Sequence, residues 1–332
     1  MQLTSTPLVS VIVATYNREH LLRKALESIF AQTYPHIQVI VVDDGSTDRT
    51  AQLVCEFDAV EYVYTEHGGQ SIARNLGLRR ARGEFIASLD SDDEWCPTFL
   101  EKCLDRLIKG QLDFVFANWH QVGRDGKAFD FLLSDPFLQP FITKNKEGEW
   151  RYLDNTDLRM LYLVSCPSPT SSVVMRKSSI VSGWDCGIRI GEDWSLYLDM
   201  IFLKSSKAAF TVERLWRKHV HHENIYDGRK RSEVLEIFVD DEAHIIDRYR
   251  AHLTGEELNV MNRRHVATLM ELAKHQLVRE RNFRLFWELF YRSARINGWF
   301  MIEQIPRLLL TAVRNRWTKR MDVPEPLIEI GA

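Results

Sequence analysis

The sequence predicts an α/β fold in which a mostly parallel sheet is flanked by helices, followed by a C-terminal helical extension. Three observations support this prediction. Short apolar runs alternate with amphipathic helical patterns over residues 8–89, two of these runs end directly in carboxylates, and long helical patterns dominate from Ser232 onward. Regular alternation of strand and helix is typical of a parallel sheet with helices on both faces.

The predicted strands are apolar almost throughout, as expected for strands that are covered on both faces. They lie at residues 8–14, 37–42, 60–65 and 84–89. Amphipathic patterns predict helices between them, and Ser46 or Thr47 is suited to cap the second of these helices. In the third helix, residues 71–82, we expect Ile72 and Leu76 to face inward.

The run at residues 84–89 ends in three carboxylates, Asp90, Asp92 and Asp93. Carboxylates this close together repel one another unless a positive charge lies between them. Mn²⁺ and Mg²⁺ prefer carboxylate oxygens and often share them with substrate phosphates. We therefore predict a Mn²⁺ or Mg²⁺ site here. The alternative is an acidic, solvated loop that caps a helix beginning near Pro97.

A second acidic pair, Asp43 and Asp44, follows the strand at residues 37–42. Parallel strands all run the same way, so both acidic clusters should lie at one edge of the sheet, together with residues 15–17. This convergence favours a ligand that carries hydroxyl groups and a metal-bound diphosphate. Taken alone, Asp43 and Asp44 also fit a helix-capping turn.

Composition excludes several other classes of protein. The chain has 332 residues, is 45% hydrophobic, and its net charge of −3 argues against general nucleic-acid binding. Its five cysteines include no Cys-x-x-Cys pair, which fits a reducing compartment. We see neither a signal peptide nor a run of eighteen apolar residues. These features predict a cytoplasmic protein.

Four segments together resemble family-two glycosyltransferases of the GT-A fold. They are Val9-Ser-Val-Ile-Val-Ala-Thr-Tyr-Asn17, Val41-Val-Asp-Asp-Gly-Ser-Thr-Asp48, Gly68-Gly-Gln-Ser-Ile-Ala-Arg-Asn75 and Leu89-Asp-Ser-Asp-Asp93. The resemblance covers about two-thirds of the chain and implies an inverting, metal-dependent transferase that uses a nucleotide-diphosphate sugar. The sequence departs from several relatives at Ala14, where they place a hydroxyl residue.

The resemblance also implies roles for individual residues. Asp92, with Asp90 and Asp93, corresponds to the metal-binding Asp-x-Asp motif, and Arg74 would face the diphosphate or the donor sugar. The residues that the resemblance assigns to the nucleotide sugar are Thr15, Tyr16, Asn17, Asp43, Asp44, Arg74, Asn75, Asp90, Ser91 and His219. For Arg74 the alternative is a solvated helix charge.

The segment Gly191-Glu-Asp-Trp194 resembles a second segment of the family, in which a Glu-Asp pair begins a helix that lines the acceptor side. This makes Asp193 the candidate catalytic base, because inverting transfer needs a carboxylate to take the proton from the attacking hydroxyl. The alternative is that Glu192 and Asp193 only stabilise a helix N-terminus. We expect acceptor specificity to lie in residues 127–165. The histidines at 219, 221 and 222 lack a Cys or Glu partner at zinc-ligand spacing.

Helical patterns at residues 234–253, 256–278 and 283–296 predict a helical appendage. We place the catalytic domain at residues 1–225 and the helical region at 226–332. The apolar segment at 299–313 is followed by Arg314, Arg316, Lys319 and Arg320. This pattern suggests peripheral contact of residues 299–320 with the inner face of the membrane, and the alternative is a helix buried against the catalytic domain.

The predicted function is an inverting glycosyltransferase that moves a sugar, from a UDP-sugar, to a glycan or lipid-linked acceptor in surface polysaccharide assembly. One alternative is a sugar-phosphate nucleotidyltransferase. That class needs a Gly-rich basic loop after the first strand, and residues 14–17 supply none. The other alternative is a non-catalytic module that binds a nucleotide sugar.

Overall fold

The computed structural model describes residues 6–122, 128–219 and 229–317. The chain divides into two compact units. The first contains Met1–Cys186 and Glu192–His222, and the second contains Gly187–Gly191 and Glu223–Ala332. The predicted domain boundary between residues 225 and 226 lies outside the described residues, and so do residues 123–127.

The first unit is built on one sheet whose order is β3-β2-β1-β4-β10-β6-β11-β9-β8, with β5 paired to β11 and β7 paired to β6. The strands are β1 (Val9–Thr15), β2 (Ile37–Asp43), β3 (Val60–Tyr64), β4 (Phe85–Ser88), β5 (Glu94–Trp95), β6 (Phe114–Val122), β7 (Ala128–Phe129), β8 (Lys146–Glu147), β9 (Trp150–Leu153), β10 (Val173–Arg176) and β11 (Ala208–Lys218). All four strands predicted in residues 8–89 are present.

Parallel pairing joins β3, β2, β1 and β4. Beyond them, β10 pairs antiparallel with both β4 and β6, while β11 runs parallel to β6. The sheet is therefore mixed and mostly parallel where the acidic clusters lie. Residues of β1, β2 and β4 are almost completely buried, as their apolar sequences predict.

Helices cover the sheet. In this unit they are α1 (Leu22–Phe30), α2 (Thr50–Val54), α3 (Gln70–Arg80), α4 (Phe99–Lys109), α5 (Phe131–Ser134), α6 (Gln139–Ile142), α7 (Asn155–Tyr162) and α8 (Glu192–Leu198). A π-helical segment, Asp199–Lys204, continues α8.

Helix α3 packs differently from the sequence-based expectation. The prediction that Ile72 faces inward is wrong, because its side chain is exposed, and Leu76 is only half-buried. The buried face is formed by Ser71, Ala73, Arg74 and Gly77. A Cβ atom at Gly77 would lie 2.5 Å from Cγ2 of Ile12, so the helix approaches β1 too closely for large side chains. This face instead brings the side chain of Arg74 into the protein.

The second unit is helical. It contains α9 (Arg231–Tyr249), α10 (Gly255–His275) and α11 (Phe283–Trp317), and α11 is kinked at Asn297, where φ is −155° and ψ is 88°. Its core joins Leu235 and Val239 of α9, Leu269, Leu272 and Ala273 of α10, and Leu289 of α11. The predicted helical patterns from residue 234 to residue 296 are thus confirmed. No helix of the described residues has the length and apolar character of a membrane span.

Candidate active site

The ends of β1 and β2 lie side by side, because Thr15 pairs with Asp43 in the parallel register. Both carboxylate oxygens of Asp43 accept hydrogen bonds, from the Ser46 amide at 2.8 Å and from the Tyr62 hydroxyl at 2.7 Å. The Oγ1 atom of Thr15 is buried and has no hydrogen-bond partner among the described residues. A buried hydroxyl without a partner is costly, so Thr15 is suited to contact a bound ligand.

The carboxylate of Asp44 holds the loop that leads into α3. It accepts hydrogen bonds from the amides of Gly68, at 2.8 Å, and Gly69, at 2.9 Å, and Nδ1 of His67 lies 2.9 Å from Oδ2. The φ angle of Gly69 is 98°, in the left-handed region that favours glycine. The ring of His67 stacks on Tyr16, with centroids 4.2 Å apart. Tyr16 therefore forms part of an exposed aromatic pair beside Asp44.

Asn17 and Asn75, both predicted to bind the donor, use their side chains within the protein. Oδ1 of Asn17 accepts a hydrogen bond from the Thr47 amide at 2.8 Å. Asn75 makes two hydrogen bonds to the backbone of Trp184, one from Nδ2 to the carbonyl at 2.7 Å and one from the amide to Oδ1 at 2.9 Å. These contacts tie loops together around the strand ends.

Asp90, Asp92 and Asp93 form the acidic cluster that the sequence predicts. Each offers a carboxylate oxygen, and these oxygens all lie within 4.8 Å of one another. Asp93 is buried and accepts a hydrogen bond from the Ser171 hydroxyl at 2.7 Å. Burial raises the pKa of Asp93 to about 8; the positive charge of Lys218 opposes this shift, while Asp90 and Asp92 add to it. A divalent cation satisfies three such hard oxygen donors. Ser91 is also buried.

Arg74 connects this cluster to the start of α8. Its Nη2 donates to Oδ1 of Asp90 at 2.8 Å, and its Nη1 donates to Oε1 of Glu192 at 2.8 Å. The side chain is only 5% exposed, so it is not the solvated helix charge of the alternative prediction. Burial alone would lower the pKa of Arg74, but the carboxylates of Asp90, Asp193 and Glu192 outweigh burial and raise it. The Nε atom is buried without a partner among the described residues.

Glu192 and Asp193 have different surroundings. Glu192 is buried and accepts hydrogen bonds from Arg74 and from the side-chain amide of Gln70. Burial raises the pKa of Glu192 to about 8; the negative charge of Asp193 adds to this shift, and Arg74 opposes it. Asp193 is partly exposed. Of these two neighbouring residues, Asp193 is therefore the one that is partly open to solvent.

Asp193 is held in one orientation by donors on both of its oxygens. Oδ1 accepts from the indole Nε1 of Trp184 at 3.0 Å, and Oδ2 accepts from the amide of Thr170 at 3.1 Å and from its hydroxyl. Hydrogen bonds of this kind fix the direction of a carboxylate and satisfy its charge. Three donors therefore orient the carboxylate of Asp193.

His219 lies beside the acidic cluster. Its backbone amide donates to Oδ1 of Asp93 at 3.2 Å, and its Nε2 lies 2.8 Å from Oε1 of Glu94. His219, which the resemblance assigns to the nucleotide sugar, therefore lies next to Asp93 and Glu94. The two other histidines of this segment, at 221 and 222, lie outside the described residues.

The residues that form hydrogen bonds with Asp93, Glu192 and Asp193 were not predicted from the sequence. Thr170 and Trp184 orient Asp193, Ser171 contacts Asp93, and Gln70 contacts Glu192. One sequence feature pointed to such residues, the run rich in serine and threonine at 168–172, directly before β10. These serine and threonine side chains are buried, and buried hydroxyl groups need hydrogen-bond partners. The partners of this run could not be identified from spacing, since Ser171 and Asp93 are 78 residues apart.

The family model "Glycosyl transferase family 2" matches residues 10–178. The chain is 36% identical to TuaG of Bacillus subtilis, named for teichuronic acid biosynthesis, over 135 residues that make up 39% of this chain. That match spans about half of TuaG, 54% of its length.

The chain is also 33% identical over 204 residues to the Escherichia coli UDP-Glc:alpha-D-GlcNAc-diphosphoundecaprenol beta-1,3-glucosyltransferase WfgD, covering 53% of this chain and 80% of WfgD. Among solved structures, TarS 1-349 of S. aureus in complex with UDP-GlcNAc has a TM-score of 0.61 at 17% identity, with 98% of each chain covered. The fold is GT-A, as predicted. The chain belongs to glycosyl transferase family 2.

Proposed function

We propose that this protein is an inverting glycosyltransferase that moves a sugar from a UDP-sugar to a glycan or lipid-linked acceptor in surface polysaccharide assembly. Family membership supports the transfer of a glycosyl group. The names of two relatives support the proposed donor, acceptor and biosynthetic process. WfgD is named for a UDP-Glc donor and a diphosphoundecaprenol-linked acceptor, and TuaG is named for teichuronic acid biosynthesis.

The observation that carries the proposal is the placement of Arg74 between Asp90 and Glu192, at 2.8 Å from each. Asp90 belongs to the carboxylate cluster, and Glu192 is the direct neighbour of Asp193. A buried, permanently charged side chain thus links the residues proposed for the leaving diphosphate to those proposed for the acceptor. A guanidinium at this place can also stabilise negative charge that develops on the leaving group.

For the nucleoside, the proposed contacts are Thr15, Tyr16, Asp43 and Asp44. The buried hydroxyl of Thr15 supports this role, because it has no hydrogen-bond partner within the described part of the chain. Asp43 and Asp44 already accept hydrogen bonds from the protein, but a carboxylate has about four lone-pair sites and can accept further ones. The exposed ring of Tyr16 offers a stacking surface.

Asp90, Asp92 and Asp93 would hold Mn²⁺ or Mg²⁺, which when bound neutralises charge on a diphosphate leaving group. Side chains of this protein hold two of these carboxylates in place. Ser171 donates to Asp93 and Arg74 donates to Asp90, so two of the three carboxylates are oriented by side chains that are themselves buried.

Asp193 is the proposed base. A sugar hydroxyl is a poor nucleophile at neutral pH, and a carboxylate within hydrogen-bond distance can take its proton as it attacks. Attack with inversion comes from the face opposite the leaving group, so the carboxylates beside the diphosphate cannot also serve. Trp184 and Thr170 hold Asp193 in a fixed orientation, as this role requires.

We further propose that residues 1–225 form the catalytic domain and residues 226–332 a helical region. We also propose peripheral attachment at the inner membrane face through residues 299–320. Within that segment, Met301 packs into the core of the helical unit, whereas Trp299 and Ile302 are exposed. Residues 318–320 lie outside the described residues.

Donor choice can be tested by thermal unfolding with a panel of UDP-, GDP- and dTDP-sugars in the presence of Mn²⁺. A ligand that binds only the native state raises the unfolding temperature. We expect a UDP-sugar to give the largest rise, and a larger rise with a GDP- or dTDP-sugar contradicts the proposed donor. Mn²⁺-dependent hydrolysis of the bound donor distinguishes a transferase from a module that only binds it.

A further inference from the structure

Helix α11 exposes three aromatic side chains along one line. Phe283, Trp287 and Tyr291 are spaced four residues apart, which places them on the same side of the helix. Their exposed fractions are 61%, 62% and 64%. We call these three residues the aromatic stripe. Beyond the kink at Asn297, Trp299 is 82% exposed.

The stripe is not needed to complete the core of the helical unit. The inward side of α11 is already occupied, because Leu289 is buried against α9 and α10, and Leu285 and Ile296 pack on the same core. Large exposed side chains that recur on one face of a helix indicate a surface for another molecule.

Arginines lie next to the stripe. Arg284, Arg292 and Arg295 are all exposed, and the guanidinium of Arg295 lies 5.9 Å from the ring centroid of Tyr291. Among the described residues, neither Arg284 nor Arg292 has a carboxylate partner. Basic residues also outnumber acidic ones in the wider sequence around the stripe. Residues 281–320 contain nine arginines and lysines and two glutamates, in a chain whose net charge is −3.

We propose that the aromatic stripe and its neighbouring arginines bind the surface of an anionic lipid membrane, with α11 lying in the interface. Tryptophan and tyrosine favour the headgroup region of a bilayer. Arginine can extend its charge to lipid phosphates while its alkyl stem stays in apolar surroundings.

A second copy of this chain fits the aromatic stripe and its arginines less well than an anionic membrane does. A two-fold interface through this face would bring the same patch of both copies together. The positive charges of Arg284, Arg292 and Arg295 would then face the same charges of the other copy, whereas an anionic lipid surface attracts basic residues. The inference deepens the proposed function, because it would bring the enzyme to a lipid-linked acceptor.

The test is flotation of the full chain with phosphatidylcholine vesicles, with and without phosphatidylglycerol, in the absence of any sugar donor. We expect binding to the anionic vesicles that weakens with salt. The double variant Trp287→Ser, Tyr291→Ser should lower the partition coefficient at least about tenfold, and so should the triple variant Arg284→Gln, Arg292→Gln, Arg295→Gln. Tyr64→Ser, which removes an equally exposed tyrosine from the catalytic unit, should bind like the wild type.

No flotation of the wild type overturns the inference, and so does equal binding to neutral and anionic vesicles. Unchanged binding of the arginine variant to anionic vesicles also overturns the inference. This test holds even if the aromatic variant fails to fold. The three arginines are exposed, so their replacement leaves the core intact. The flotation contains no sugar donor, so a negative result does not bear on the proposed sugar transfer. A negative result in the thermal-unfolding panel of sugar donors likewise does not bear on lipid binding.

Discussion

Arg74 and Glu192 form a buried ion pair that joins helix α3 to the start of α8, with Nη1 2.8 Å from Oε1. Both side chains are about 95% buried, at 5% and 4% exposure. Removing Arg74 leaves the carboxyl groups of Asp90 and Glu192 without the positive charge that lies between them. The same guanidinium also contacts the acidic cluster, because its Nη2 donates a hydrogen bond to Oδ1 of Asp90.

Replacing Arg74 should therefore destabilise the protein. We expect Arg74→Leu to lower the free energy of unfolding by about 3 kcal/mol, measured by urea denaturation. Arg79→Leu is the matched control, because Arg79 lies on the same helix and is exposed. Equal stability of the two variants would contradict the account of Arg74 as a buried link.

Asp193→Asn should lower kcat by at least about a hundredfold, since general-base catalysis contributes at least this factor. Steady-state assays at saturating donor and acceptor provide the measurement. The affinity for UDP should stay within about twofold of the wild type. Glu192→Gln should be milder, because Glu192 is buried against Gln70 and Arg74. Near-normal turnover of Asp193→Asn removes it from the role of base.

Trp184→Phe tests whether the orientation of Asp193 matters. The substitution keeps an aromatic ring but removes the indole N–H that donates to Oδ1 at 3.0 Å. Loss of a hydrogen bond to a charged group should lower kcat about tenfold, with little change in UDP affinity. Trp150→Phe on β9 is the control. A change in UDP affinity without a change in kcat would show that Trp184 acts on the donor instead.

Much of the site could be predicted because it depends on short-range patterns. Apolar runs that end in acidic residues identified the ends of β2 and β4, and parallel pairing then required Thr15, Asp43 and Asp90 to lie at one edge. These inferences need only the direction of each strand. They do not depend on how side chains pack.

The remaining features depend on packing between distant segments. Arg74 and Glu192 are 118 residues apart, and no local pattern shows that they meet. Helix α3 buries Arg74 rather than Ile72 because Gly77 permits close approach to Ile12. The position of β10 between β4 and β6 likewise could not be derived from alternating strands and helices, because this strand is antiparallel to both neighbours.

Stability at acid pH should depend on Glu242 in the helical unit. Burial alone would raise the pKa of Glu242, but the hydrogen bond to His265 and the charge of Arg264 outweigh burial and lower it. A carboxyl whose pKa is lower in the folded state stabilises the fold at neutral pH, and this contribution is lost as the pH falls through the folded pKa. Glu242→Gln should therefore unfold at a lower temperature than the wild type at pH 7, and the difference should shrink below about pH 4.5.

The control for this pH series is Glu256→Gln, which changes an exposed glutamate at the start of α10. Its unfolding temperature should follow that of the wild type at every pH. A difference between wild type and Glu242→Gln that is constant from pH 7 to about pH 3 rejects the assignment.

Asp92→Ala should remove the metal dependence of nucleotide binding while leaving the fold intact. Asp92 is partly exposed, so the loss of its carboxylate should change the unfolding temperature little in the absence of metal. Calorimetric titration with UDP in Mn²⁺ and in EDTA provides the comparison. Asp58→Ala, at an exposed aspartate away from the cluster, should retain the wild-type response to Mn²⁺.

We propose that the carboxylates of Asp90, Asp92 and Asp93 bind a divalent cation together with a nucleotide diphosphate. The most direct measurement is the affinity of the wild-type protein for UDP, determined by calorimetry with Mn²⁺ and again with EDTA. We predict at least about tenfold tighter binding with Mn²⁺, equivalent to about 1.4 kcal/mol. Equal affinity in the two buffers would contradict the account.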